Sequence, residues 1–594
     1  MTHAHAERGD FDLNRRLLPM ALLACLIGLL ATGGAWVLLA MIRLFTNLFF
    51  FQTLSLESRS PAGHALGAAV IALPVLGGLI VGLIARFGTD KIRGHGIPEA
   101  IEAILFNKSL MSPKVAVLKP VSSGIAIGSG GPFGAEGPII MTGGAIGSLL
   151  AQHFHLSAAE RKALLVAGAA AGMTAVFGTP LAAVLLAIEV LLFELRPRSL
   201  LPVALACAVA GFVRPWVLEP GPLFALHVGP TDGWALPVCL LAGLLSGLLA
   251  TGLSRTLYAV EDLFNRLPVH WMWWPALGGI AVGIGGFLEP RTFGVGYDVI
   301  SDLLHLQIGS ATVLAIVLVK TVIWIIALGS LTSGGVLAPV MTIGAGLGAL
   351  LAAVLPGHDG ALLPLLCMAG VLGGVMHAPL MAAVFAFGVT GDPSVLLPLL
   401  ATTAVSYGCT VLLMRRSILT EKIARRGRHV WREISVDPLE RHFVEEWMTR
   451  EVQTLPASMT VAQALAGPFG AAQRHRACPV VDDDGRLLGM ADRAMLLARP
   501  AHETCAEAFA GAAPPAFTLG GEHCRTAATR MARLGVERLA VVDDAASLRL
   551  VGLLSRSDLV EPTLSHHHEE EVRERSRGLR RSPGPRPRKE AIGH

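Results

Sequence analysis

Between Asp302 and Arg415 the chain carries only three Asp, Glu, Lys or Arg side chains: Lys320, Asp359 and Asp392. A spanning helix needs about 20 apolar residues to cross a hydrocarbon layer ~30 Å thick, so this stretch holds several. Comparable runs recur from Leu17 to Met414. In lipid each backbone polar group must be satisfied within the protein, which helices achieve on their own. The expected fold is therefore an all-α polytopic membrane protein over residues 17–430. Overall composition agrees, with 15% charged residues against about a quarter for a soluble domain.

The first apolar run, residues 17–40, is too long for a cleavable signal core and reads as a spanning helix, with residues 1–16 ahead of it. Basic residues cluster at run ends, at 86–93, 161–162 and 415–428. This is the pattern of cytoplasmic flanks, and it puts both termini in the cytoplasm of a prokaryote-like inner membrane. The eight cysteines form no CxxC pair. They read as small reduced hydrophobes rather than a disulfide framework or a metal site.

The membrane part repeats itself. At an offset of 201 residues, Gly134-Ala135-Glu136-Gly137-Pro138 falls on Gly335-Val336-Leu337-Ala338-Pro339, Gly143 on Gly344 and Gly147 on Gly348. Pro180-Leu181 is echoed by Pro379-Leu380. Internal repeats with helices interrupted at matching positions point to a transporter whose site lies at the repeat interface.

Three segments interrupt the apolar pattern with glycine and restart a helix with proline. They are Gly94-His95-Gly96-Ile97-Pro98, Gly130-Gly131-Pro132-Phe133-Gly134-Ala135-Glu136-Gly137-Pro138 and Ser333-Gly334-Gly335-Val336-Leu337-Ala338-Pro339. Proline is expected at the first helical position, whose N–H has no intrahelical partner. A helix that starts inside the membrane presents free N–H groups and the positive end of its dipole. Several such ends together form an anion site without a fixed cation. Ordinary kinks would explain single breaks but not breaks at repeat-related positions. Glu136 lies inside one break, where an ionisable group is a functional candidate by default. Its carboxylate can hold the anion site and vacate it when protonated. Glu189, on the helix after Pro180, reads either as a functional carboxylate or as a structural one paired with a neighbour. Lys320 reads either as an ion-pair member or as a local positive field.

These breaks resemble the three anion-filter motifs of the CLC anion channels and transporters, G-S-G-I-P, G-R/K-E-G-P and G-x-F-x-P. The resemblance spans residues 20–430 and implies two inverted repeats, a homodimer and one anion pathway per subunit. It implies Glu136 as the gate and His95, Gly96, Ile97, Gly134, Ala135, Gly137, Val336, Leu337 and Leu419 as the anion-binding set. Several positions depart from the family pattern. His95 stands for the usual serine, Ala135 for a basic residue, Leu337 for the filter phenylalanine and Leu419 for the central tyrosine. Val190 stands where the classical exchangers carry their internal proton-transfer glutamate.

After a linker at 431–443 the sequence turns soluble. Ala477-Cys478-Pro479-Val480-Val481-Asp482 with Gly485-Arg486-Leu487-Leu488-Gly489-Met490 is repeated as Arg538-Leu539-Ala540-Val541-Val542-Asp543 with Leu550-Val551-Gly552-Leu553-Leu554. Each copy gives two short strands around an Asp/Gly turn. This resembles a tandem pair of α/β CBS modules, at 444–500 and 501–563. In that family an S/T-x-x-D element can bind the ribose of an adenine nucleotide (ATP, ADP or AMP). Ser555-Arg556-Ser557-Asp558 matches it, with Ser555 and Asp558 as binding residues, while Asp492-Arg493-Ala494-Met495 in the first copy lacks the final acid. A nucleotide site and a purely structural pair both fit. The charged, Pro/Arg-rich residues 564–594, including His566–His568, read as a disordered tail.

Together these readings imply movement of small anions, chloride first, through a bilayer-embedded pathway gated by Glu136 and regulated by the CBS pair. Channel-like conduction is favoured over proton-coupled Cl−/H+ antiport because Val190 cannot carry a proton. No enzyme chemistry, required cofactor or nucleic-acid partner is implied, and no Walker loop is present for an ATP-driven pump. A membrane-anchored nucleotide sensor is the second alternative, but it leaves Glu136 and the repeat unexplained. A cation transporter would favour more intramembrane carboxylates.

Overall fold

The computed structural model of the chain describes residues 17–229, 235–355, 360–430, 437–470, 477–510 and 515–561. Residues 1–16, the tail 564–594 with His566–His568 and part of the 431–443 linker lie outside them. The chain divides into two compact units between residues 434 and 435.

The membrane unit is helical. Its first repeat comprises α1 (Leu17–Phe51), α2 (Ala72–Phe87), α3 (Ile97–Phe106), α4 (Pro113–Gly128), α5 (Glu136–Gln152), α6 (Ala158–Phe177), α7 (Pro180–Leu186) and α8 (Pro197–Val217). The second comprises α9 (Ala235–Asn265), α10 (Trp274–Leu288), α11 (Tyr297–Leu304), α12 (Ser310–Gly329), α13 (Leu337–Val354), α14 (Leu362–Met376), α15 (Pro379–Thr390) and α16 (Leu396–Leu413), and α17 (Ile418–Arg425) follows. Among the described residues, eight helical stretches are long and apolar enough to cross a membrane. Others, such as α3 and α7, are too short and leave their ends inside the unit.

Small residues set the packing, as expected where lipid gives no hydrophobic drive between helices. A Cβ on Gly143 would stand 2.2 Å from the Gly168 carbonyl oxygen, and one on its repeat mate Gly344 would stand 2.7 Å from that of Cys367. Thus α5 lies on α6 as α13 lies on α14. Between the repeats, a Cβ on Gly78 would meet the Pro275 carbonyl at 2.3 Å, and one on Gly279 would meet that of Pro74 at 2.4 Å. The same patch is used from both sides, as a two-fold relation requires. Gly134 and Gly335 pair as an antiparallel bridge, which joins the two repeat-related breaks head to head.

The second unit holds two three-stranded sheets. In one, β1 (Leu455–Pro456) runs parallel to β2 (Ala477–Val481), which pairs antiparallel with β3 (Leu487–Asp492). In the other, β4 (Phe517–Leu519) runs parallel to β5 (Arg538–Val542), which pairs antiparallel with β6 (Leu550–Ser555). Each antiparallel pair is irregular at the same point, Val480/Val481 and Val541/Val542. The cores exchange segments: Val444 and Met448 pack with Leu539 and Leu554 of the second sheet, and Cys505 packs with Leu455 and Val480 of the first.

Candidate functional site: helix starts around Glu136

The glycine breaks become helix starts inside the protein. Gly94 and Gly96 take φ of 72° and 86°, left-handed values that favour glycine, and α3 begins at Ile97. The proline positions differ from expectation. Pro98 follows Ile97 in the first turn of α3, while α5 and α13 start at Glu136 and Leu337, so Pro138 and Pro339 occupy the third helical position. These sites still lie within the first turn, where backbone N–H groups lack an intrahelical partner.

Three starts come together. A Cβ on Gly137 would stand 2.0 Å from the His95 carbonyl oxygen and 3.3 Å from the Gly335 Cα. The fully buried Glu136 side chain reaches across to α13, where Oε1 accepts from the Leu337 N–H and, at 3.3 Å, from the Ala338 N–H. Its Oε2 is buried with no hydrogen-bond partner. Gly134 and Gly335 make room for this carboxylate, since a Cβ on either would come within 2.4 Å of one of its oxygens. A helix N-terminus that holds a carboxylate is by its chemistry a place for an anion.

The other expected residues are found as follows. Ile97, Ala135, Val336, Leu337 and Leu419 are buried, and none brings a side-chain donor. His95 is 2% exposed, with Nδ1 buried and unpartnered. Leu419 lies on α17, which packs on α3. Val190 is buried in a π turn, Ala187–Leu192, that continues α7. Glu189, next to it, accepts at 2.9 Å from the Met381 N–H and at 3.4 Å from the Leu380 N–H. Pro379 has no N–H, so Glu189 takes the first donors that α15 offers. Lys320 gives its protons to the carbonyls of Thr292 and Gly294, at 3.0 and 2.9 Å, rather than to a carboxylate.

Sequence reasoning missed three features. Lys119, the repeat mate of Lys320, donates to the carbonyls of Ile92 and Gly94, both at 2.8 Å, and to Ser333 Oγ at 3.0 Å. Two buried ammonium groups thus clamp equivalent loops, and the 201-residue spacing of the lysines could have revealed them. Lys422 of α17 lies against Gly94, whose Cβ would stand 2.3 Å from its Nζ. Lys422 and Arg426 bracket the buried Glu99 at 3.7 and 2.7 Å, lining a cavity of about 770 Å³. The third feature is a fourth glycine-bounded start, Gly294-Val295-Gly296 before Tyr297, which carries no proline to flag it.

In the soluble unit, Asp558 Oδ2 accepts from both the backbone N–H and the hydroxyl of Ser555, each at 2.8 Å. The two expected nucleotide-binding residues are therefore engaged with one another. In the first copy Asp492 accepts from the Met495 N–H at 2.8 Å, closing the following helical turn.

Comparison with known proteins fits this geometry. The family described as voltage gated chloride channel matches residues 77–410, and the CBS domain matches 444–501 and 514–562. The voltage-gated ClC-type chloride channel ClcB of Salmonella typhi is 30% identical over 69% of this chain and 99% of its own. Among solved structures, a slow cyanobacterial Cl−/H+ antiporter superposes with a TM-score of 0.62 at 23% identity, over 70% of this chain and 99% of that one. A eukaryotic CLC transporter superposes with a TM-score of 0.58 at 20% identity, over 91% and 98%. With the motifs in order, the helix starts joined at Glu136 and two CBS domains behind them, the chain belongs to the voltage-gated chloride channel family, the CLC proteins.

Proposed function

We propose that this protein moves small anions, chloride first, across a bacterial inner membrane, through a pathway in each subunit of a homodimer that Glu136 opens and closes. The observation that carries the reading is the Glu136 carboxylate on the α13 N–H groups. It holds the place an anion would take, so protonation or withdrawal of this side chain frees the N-terminus for a mobile ion. His95, Gly96 and Ile97 at the start of α3, Gly134, Ala135 and Gly137 at that of α5, Val336 and Leu337 at that of α13, and Leu419 on α17 form the walls. Because these side chains bring few donors, backbone N–H groups bind the anion. Conduction is channel-like. Val190 carries no proton, and Glu189 is tied to α15. The CBS pair, with at most one adenine nucleotide at Ser555 and Asp558, regulates the flow, and both termini face the cytoplasm.

The test is chloride efflux from liposomes that hold the purified protein. Glu136→Gln, which keeps the shape but not the charge, is expected to give faster flux that no longer varies with pH. The same flux and the same pH dependence as the parent would refute the gate.

A further inference from the structure

The fourth helix start is joined to the break that holds Glu136, the Gly294 N–H donating to the Gly130 carbonyl at 3.1 Å. Gly294 and Gly296 take φ of 64° and 78°, and Tyr297 opens α11 200 residues after Ile97 opens α3. Lys320 clamps this loop through the Thr292 and Gly294 carbonyls, as Lys119 clamps the first through those of Ile92 and Gly94. The two starts are approached from opposite ends of α2. His95 follows the end of α2. Asp298, next to Tyr297, accepts at 2.7 Å from the hydroxyl of Ser60, which lies between the end of α1 and the start of α2.

The Tyr297 ring packs edge-on against Phe177 and Phe224, with centroids 6.1 Å away in each case. Its hydroxyl is buried and makes no hydrogen bond. A buried hydroxyl without a partner is costly, and such groups call for an explanation in function. The loop before it is bonded to the break that holds Glu136, through Gly294 and Gly130, and Glu136 Oε2 is also buried and unpaired. A phenol fixed by a clamped loop that is tied to this break is placed to donate to the anion for which the carboxylate gives way. Leu419, at the family's central tyrosine position, has no donor to offer.

We propose that Tyr297 coordinates the permeating anion, its hydroxyl donating a hydrogen bond to chloride or a similar small monovalent anion once Glu136 has left the α13 N-terminus. The proposal rests on the Glu136 gate. It moves a tyrosine contact from the α17 side of the pathway to the α11 side, so that each repeat contributes a clamped loop and the second also contributes a hydroxyl.

The experiment compares full-length Glu136→Gln with Glu136→Gln/Tyr297→Phe. Chloride binding is measured by calorimetry in detergent and chloride flux in liposomes. Phenylalanine keeps the packing on Phe177 and Phe224. The double variant is expected to bind chloride on the order of ten-fold more weakly, the worth of a hydrogen bond to a charged group. Its melting temperature without chloride should hold or rise, because only an unpaired hydroxyl is lost. Equal chloride affinity in the two proteins would overturn the proposal. So would a Tyr297→Phe chain that fails to fold, since the hydroxyl would then have a structural partner. If Glu136→Gln changes flux as proposed but affinity is indifferent to Tyr297, this inference alone falls. If Glu136→Gln leaves flux and pH dependence unaltered, the gate and the inference fall together.

Discussion

A single carboxylate in an apolar run is what made Glu136 legible in the sequence, because burying a charge there is too expensive to be incidental. What the sequence could not show is how Glu136 is accommodated. Gly134 lies close to it in the chain, but Gly335 comes from the other repeat, and both are needed to admit the side chain. The positions differ in one respect. A Cβ on Gly335 would also strike the Gly134 carbonyl oxygen at 2.5 Å, whereas the nearest atoms to a Cβ on Gly134 all belong to the Glu136 carboxyl group. Gly134→Ala should therefore expel the carboxylate without disturbing the backbone. It is expected to reproduce the fast, pH-independent flux of Glu136→Gln while Glu136 itself is intact. Parent-like pH dependence in liposome efflux would show that the carboxylate has another resting place. Lys422 marks the opposite limit of legibility. It contacts Gly94 from 328 positions further along the chain, and no local pattern announces such a pairing.

At the scale of elements, glycine and proline carried the reading, because each constrains the backbone for a reason visible in one residue. The three starts that combine both were found. The start at Tyr297, which lacks proline, was not, although it repeats Gly94-x-Gly96 at an offset of 200. The π turn at Ala187–Leu192 was equally hidden, since the sequence there reads as plain helix. That turn gives Glu189 its place at the start of α15. Glu189→Gln is expected to destabilise the protein by about 1–2 kcal/mol, through loss of charge-assisted bonds to a helix N-terminus. The readout is a lower melting temperature in detergent, with the pH dependence of flux unchanged. Altered pH dependence at full stability would instead put Glu189 on a proton path. In the CBS unit, the repeated strands were legible from their alternation, while the two- and three-residue strands β1 and β4 are too short to carry a pattern. Asp558 closes the turn after β6 through Ser555. A ribose must displace that contact, and the first copy has no equivalent acid. Calorimetry of the full chain with ATP should find no more than one site per subunit, and Asp558→Ala should abolish it. Two equal sites, or undiminished binding in the variant, would rule this out.

For the molecule as a whole, the open question is whether anion movement drives protons. An exchanger needs a protonatable route from Glu136 to one face of the membrane. On the α7 side, the buried Val190 fills the position where the resemblance puts the exchangers' glutamate, and the neighbouring Glu189 is held by the Leu380 and Met381 N–H groups. On the α3 side, Glu99 lines the cavity, paired with Arg426 at 2.7 Å and with Lys422 at 3.7 Å. His95, at the start of α3, has an unpartnered Nδ1. Among the described residues, Glu189 and Glu99 are each committed to partners and Val190 carries no proton, so uncoupled conduction is the expected behaviour. Purified protein in liposomes with a chloride gradient and no pH gradient should carry chloride at a rate set by Glu136, without moving protons uphill. Chloride-driven acidification or alkalinisation at a fixed stoichiometry, abolished by Glu136→Ala, would show an exchanger. Such coupling would require a proton route other than Val190 and Glu189, through water past small residues.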